Sequence, residues 1–177
     1  MDTTTDSINS KISDLRHAEW STYAPYSPVW IYLSSGELAP NQSEELKERV
    51  KDFATQWLSH GQKVESCGDF LFDRFIVLAV NAESLPPSGC SIDSSVHFVR
   101  EMESRFSVDF FDRMQLAWID GKEDLQVNQL REIPTKYKEG SIDRHTLIFD
   151  NTITTVEQLL NSWIKPLEKS WVKNYVR

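Results

Sequence analysis

Six consecutive apolar residues, Phe75-Ile76-Val77-Leu78-Ala79-Val80, stand between the polar pair Asp73-Arg74 and Asn81. A run this short and rich in strand-forming residues reads as a β-strand. It lacks the polar alternation of a half-exposed strand, so it needs cover on both faces. Two helical patterns are available for one side. Leu46, Val50, Phe53 and Trp57 recur at helical spacing after Asn41, with Glu44 three residues on in the manner of a capping box, and His60-Gly61 is expected to end the run. Ile92, Val96, Val99, Met102 and Phe106 repeat the spacing after the breaker Pro86-Pro87-Ser88-Gly89. Two helices cover one face of a sheet, so the other face calls for the C-terminal part of the chain or for a second subunit.

Val29-Trp30-Ile31-Tyr32-Leu33, bounded by Pro28 and Ser34-Ser35-Gly36, reads as the first strand, and residues 64–71 as the second. Residues 114–119 alternate as a further strand, and Asp120-Gly121 signals a hairpin into Leu125-Gln126-Val127. The order β-α-β-β-α-β places the chain in the α+β class. It matches a ferredoxin-like sandwich with an added hairpin strand, in which the first and third strands are expected to lie central and parallel. Beyond it, a C-terminal extension over 129–177 is expected to hold a helix broken near Pro134, a strand at 146–149 and a last helix opened by Thr154 with Glu157. Residues 1–12, polar and aperiodic, read as a disordered lead. That leaves 13–177 as one α+β domain with its core at 29–128. Trp30, Trp57 and Trp118 fall on regular elements and are expected in the core. Trp20, Tyr23, Tyr26, Trp163 and Trp171 are expected to dock onto the sheet or onto another subunit.

Composition removes several function classes. The net charge is −8, with 19 Lys and Arg against 27 Asp and Glu and no basic run, which excludes a binder of nucleic-acid backbone. No apolar run approaches the ~20 residues needed to span a bilayer, and the start Met1-Asp2-Thr3-Thr4-Thr5-Asp6 lacks the basic and apolar parts of a signal peptide, so no membrane association is expected. Two cysteines without C-x-x-C spacing suit a reducing cytoplasm. Neither a phosphate-binding G-x-x-x-x-G-K-[ST] loop, nor G-x-G-x-x-G, nor H-E-x-x-H, nor an EF-hand occurs. No cofactor or metal is therefore expected, and P-loop ATP hydrolysis is excluded. Phe72-Asp73-Arg74 recurs as Phe111-Asp112-Arg113, which reads as an Asp that starts a turn beside an Arg that pairs with a carboxylate.

The candidate site is the stretch from Ser88 to Ser95, where small and hydroxyl residues lead into the second helix. Unpaired N–H groups and the positive end of the helix dipole attract an anion there, with Ser88, Gly89, Cys90, Ser91, Asp93 and Ser94 as ligand-binding residues. Asp93 or Ser91 is expected as the N-cap. A cysteine at a helix start favours thiolate, so Cys90 is a candidate nucleophile or redox thiol with Asp93 as its orienting group. His97 lies four residues after Asp93, where contact is expected, whereas its distance from Cys90 along the helix weakens a dyad between them; His60 and His145 remain as partners from elsewhere. A cysteine phosphatase loop would need Arg where Val96 stands.

Trp57…His60-Gly61, then Ser88-Gly89-Cys90-Ser91-Ile92-Asp93-Ser94-Ser95, then Phe111-Asp112-Arg113 resembles a family of uncharacterised bacterial proteins of similar length, with likeness from about Trp30 to Trp171. Some members carry the label "ABC transporter ATPase", which the missing Walker A motif leaves without physical support here. The resemblance implies a bacterial cytoplasmic protein and supplies no activity. Taken together, the residues favour a non-catalytic acidic domain, monomeric or homodimeric, that binds a small ligand or a protein partner at residues 88–95. The alternative is a cysteine-dependent enzyme or thiol redox protein using Cys90.

Overall fold

The computed structural model describes residues 8–176. In chain order the first half comprises α1 (Ile8–Asp14), β1 (Val29–Leu33), α2 (Pro40–Gln56), β2 (Leu58–Ser59), β3 (Gln62–Lys63), β4 (Ser66–Leu71) and β5 (Phe75–Val80). The second half comprises α3 (Gly89–Phe106), β6 (Gln115–Ile119), β7 (Leu125–Gln129), α4 (Ile133–Lys138), β8 (Leu147–Phe149), α5 (Val156–Ser162) and β9 (Ile164–Pro166). The class is α+β, with antiparallel sheets.

All six residues of β5 are fully buried, and the side-chain period of two divides them between two cores. Ile76, Leu78 and Val80 meet α2 and α3 through Leu46, Val50 and Val99. Phe75, Val77 and Ala79 face the opposite way, onto Ala117, Ile119 and Phe149 of a second sheet. That sheet repeats the division: Leu116, Trp118 and Ile148 point outward and are covered by Ile133, Ile142, Leu167 and Val172. The molecule is thus layered as helices, sheet, sheet, and an outer layer of α4 with the C-terminal 3-10 turns. The cover that the apolar run demanded is supplied within the chain, so the packing need for a second subunit disappears.

Two expectations about the sheets fail, the direction of the third strand and the place of the fourth. Sheet order is β1-β5-β4, with β5 antiparallel to both neighbours, so the first and third strands are adjacent but not parallel. The cause is local: Phe72 and Asp73 both take φ of 54°, and this tight turn returns the chain from β4 into β5 with Arg74 N–H on Leu71 O. The crossover through α2 makes β1 and β4 run the same way and leaves β5 between them, which is a split β-α-β unit. The strand expected beside β1 lies elsewhere, because β6 pairs with β7 and β8 in the order β7-β6-β8-β9. Both faces of β6 are apolar, and stacking it on the first sheet buries Ala117 and Ile119 while the outer layer buries Leu116 and Trp118.

Helix ends also move. Helix α2 starts with Pro40 in its first turn and has its entry amide, Ala39 N–H, on Gln42 Oε1, so Asn41 and Glu44 form no capping box. It stops at Gln56, and His60-Gly61, both at positive φ, turn β2 into β3 instead. Thr155 rather than Thr154 caps α5, accepting from Gln158 N–H. Of the expected disordered lead, residues 1–7 lie outside the described residues. Ile8 and Ile12 belong to α1 and pack against the inter-sheet core, which gives that turn of chain a reason to be ordered. In the same core Phe75 stacks on Phe149 at 4.8 Å, and Trp163 stands edge-on to them at 5.0 and 5.2 Å.

Where α2 crosses β4 the approach is close. A Cβ on Gly68 would lie 2.7 Å from Leu78 Cδ2, 3.0 Å from Val50 Cγ1 and 3.2 Å from Val77 O. Gly68→Ala is therefore expected to lower unfolding stability by about 1–3 kcal/mol, the usual cost of overpacking. Urea titration checks it, and an unchanged midpoint would show the helix free to move away.

Candidate functional site

Helix α3 opens at Ser88, which has extended backbone (φ −82°, ψ 167°) and accepts Ser91 N–H on Oγ at 3.2 Å. Neither Asp93 nor Ser91 is the cap. Ser91, Ser94 and Ser95 donate their hydroxyls back to Ser88, Ser91 and Ile92 carbonyls at 2.7–2.8 Å, and Ser91 and Ser95 are buried against the first sheet's helical layer. Trp57 Nε1 donates to Ser91 O at 2.8 Å, and Ser59 Oγ accepts Ser88 N–H at 3.1 Å, so the β2–β3 hairpin is bolted onto this helix start. The serines are thus committed to holding the helix rather than offered to a ligand. A Cβ at Gly89 would meet nothing within 4 Å, and the backbone there does not require glycine.

Cys90 is exposed and lies in a shallow groove of about 540 Å³ with Trp57, Leu58, His60, Ser91 and Ser94. The hairpin turn therefore brings His60 to the same groove as the thiol, a juxtaposition the sequence could not supply. Asp93 is exposed and does not line the groove, and His97 pairs with Glu101 at 3.7 Å rather than with Asp93. The expected orienting role of Asp93 has no geometry behind it. Leu58, half exposed at 52%, gives the groove an apolar rim.

The second cysteine, Cys67, is buried. Burial first, with Glu19 and Asp69 adding repulsion, pushes its thiol up to about 12 against the opposing influence of the neighbouring Tyr23 hydroxyl. The Tyr23 phenol is raised as well, by burial and by Cys67.

A different cleft lies between the sheets. It holds about 400 Å³, in the range of ligand pockets, and all five residues of β1 line it. Trp30 and Tyr32 point to the helical core while Ile31 and Leu33 point to the inter-sheet core, so residues of both parities meet the cleft. Only an opening along the strand's free edge allows that. The hydrogen bonds Val80 N–H to Pro28 O and Ser34 N–H to Arg74 O fix which main-chain groups face β5: those of the even-numbered residues. The groups of Val29, Ile31 and Leu33 face the cleft. Val29 N–H is taken by Thr154 O at 3.0 Å, and at the far end Ser35 N–H is taken by Asp109 O at 2.8 Å.

The walls of the cleft carry its polar groups. Asp112 accepts from Gln129 and Gln115 side chains and Met114 N–H, and these bonds hold its carboxyl below the ordinary range. Arg113, exposed and also on the cleft, has no carboxylate partner among the described residues. Tyr32 has its phenol raised by burial, against a hydrogen bond with Ser95 and the nearby Arg113 charge. On the opposite wall the loop 151–154 is anchored by Asp150. Burial alone would raise that carboxyl, but Lys165 at 2.8 Å and the Thr152 hydroxyl and amide bring it below the ordinary range, and Trp171 Nε1 adds a bond at 3.1 Å. Phe111-Asp112-Arg113 was readable only as a turn; nothing in the sequence said which strand edge it would border.

Comparison with models of known protein families, with curated proteins and with solved structures finds no match. No cluster of three metal-ligating side chains occurs, and no helix is long and apolar enough to cross a membrane, among the described residues.

In native protein an alkylating reagent is expected to modify Cys90 alone, with Cys67 reacting only on unfolding; mass spectrometry of the two peptides checks it. Because the Cys67 thiol ionises near 9.0 when unfolded and near 12 when folded, its contribution is complete below pH 9 and is lost as pH rises toward 12. Cys67→Ala should flatten that alkaline decline in urea titrations, and an identical slope in both proteins would contradict the assignment. At the other wall, Asp150→Asn is expected to cost about 1.5–3 kcal/mol, the scale of hydrogen bonds to a charged group.

Proposed function

We propose that this chain is a non-catalytic binding domain that takes its ligand in the cleft along the free edge of β1. The observation that carries this reading is the meeting, in one cleft of about 400 Å³, of main-chain groups and a guanidinium that have, among the described residues, no main-chain and no carboxylate partner respectively, with aromatic and aliphatic walls. The lining holds no cysteine or histidine, and its Asp112 is engaged by three donors, which leaves no free base for chemistry. The expected location at residues 88–95 has weaker support, since its serines are engaged by backbone; the N–H groups of Gly89 and Cys90 are what it still offers an anion.

A second reading rests on the shared groove of Cys90 and His60: a thiol enzyme or redox protein in which the imidazole serves the sulfur. The split unit of β1, α2 and β4 around β5 also supports kinship with ferredoxin-like sandwiches whose fourth strand has left the sheet. The Gly-Cys-Ser-Ile-Asp-Ser-Ser stretch supports membership of the bacterial family it resembles, in the cytoplasm, as monomer or homodimer.

A fragment library screened by NMR on the full chain separates the two sites. Binders are expected to shift the amides of Ile31, Arg113 and Thr152 and to survive Cys90→Ser. Shifts confined to Ser91, Ser94 and His60, or binding abolished by Cys90→Ser, would transfer the function to the thiol groove.

A further inference from the structure

We infer that the free edge of β1 between Thr154 and Asp109 takes a short extended polypeptide segment as an added strand, with a carboxylate of that segment against Arg113. This rests on the cleft being the binding site and names what fills it. The first sheet stops at β1, where the expected fourth strand would have paired, because β6 belongs to the second sheet, which is stacked on the first. What remains is the edge of a sheet inside a cleft: the N–H and C=O groups of Ile31 and Leu33 and the C=O of Val29, alternating at the spacing only another extended main chain reproduces.

The chain itself begins such a pairing. Pro28 and Thr155 form an antiparallel bridge, and Thr154 O accepts from Val29 N–H, after which the loop 151–153 leaves the edge. Asp109, tied to Ser35 by its carbonyl and by its own N–H on Ser35 Oγ, closes the other end. From Val29 to Ser35 the edge runs about 20 Å at ~3.4 Å per residue, so three or four extended residues fit between the two stops. Side chains of alternate residues of the segment would meet the aromatic side at Tyr32 and Phe110 and the inter-sheet side at Phe149 and Ile153.

Charge fixes the chemistry further. Asp112 is engaged by three donors, so the available charge on the lining is the guanidinium of Arg113. An acidic side chain or a C-terminal carboxylate on the segment pairs with it. An exposed strand edge left empty is a site for unwanted pairing, and the flanking segments 109–113 and 151–154 limit access to a narrow chain entering between them.

The test uses the full chain and a phage-displayed library of random heptapeptides, with selected peptides resynthesised and their affinities measured by calorimetry. N-methylation is then moved along a selected peptide one residue at a time. Loss of about tenfold at every second position, with the intervening positions changed less than about twofold, is the expected result, since only alternate N–H groups face β1. Arg113→Gln, at an exposed position, should weaken the same peptides about tenfold and acidic-to-amide changes in the peptide should do so no further in that variant. Ile31→Pro removes one edge donor while leaving the ladder to β5 intact and should abolish selection. Peptides that bind without the two-residue period, or with full affinity to Arg113→Gln, would overturn the added strand. Fragments that occupy the cleft while no peptide is selected would overturn it too, leaving the binding-domain reading standing; an empty cleft in both screens would remove both.

Discussion

Burial of β5 on both faces is the constraint from which the other layers follow. A strand of six apolar residues with no exposure cannot end a molecule on either side, so the helices α2 and α3 must occupy one face and a second sheet the other. The second sheet then carries an apolar outer face of its own, Leu116, Trp118 and Ile148, which recruits the C-terminal turns. Four layers arise because each cover is itself two-faced.

The same stacking decides where the molecule is open. Had β6 extended the first sheet it would have sealed β1; by lying across it, it buries both of its own faces and leaves an edge. The Phe75, Phe149 and Trp163 cluster clamps the two sheets together, and Asp150 with Lys165, Thr152 and Trp171 sets the loop beyond β8 at a fixed distance from β1. Packing and a partly buried ion pair thus hold apart the two walls of a cleft whose floor is main chain. The proposed function is a consequence of that separation rather than of any reactive side chain.

Much of this was legible in local pattern. The apolar run, the two amphipathic helices and the strand at 29–33 follow from period and from breakers, and they give the class and the need for a second cover. Strand direction was misassigned although the turn at Phe72-Asp73-Arg74 was readable: a hairpin there makes β5 antiparallel to β4, and Phe72 and Asp73 close it at positive φ without a glycine. Caps shifted by one or more residues where neighbouring residues compete for the same amides, as Ser88 does with Ser91 and Thr155 with Thr154. For the site, the sequence singled out residues with reactive or polar atoms. The structure turns Ser91 and Ser95 inward as small residues, brings His60 to Cys90 through a hairpin seen only as a helix stop, and places the inter-sheet cleft against groups every residue carries. A strand edge is defined by what fails to pair with it, and no single-residue signal reports that.

Amide hydrogen exchange along β1 of the free protein addresses the open edge most directly. Trp30 and Tyr32, whose N–H groups face β5, should exchange slowly with the core, while Ile31 and Leu33 should exchange orders of magnitude faster, at rates set by access to the cleft. Uniform slow exchange from Trp30 to Leu33 would mean that the edge is already paired, and the cleft would lose its floor of free donors and acceptors.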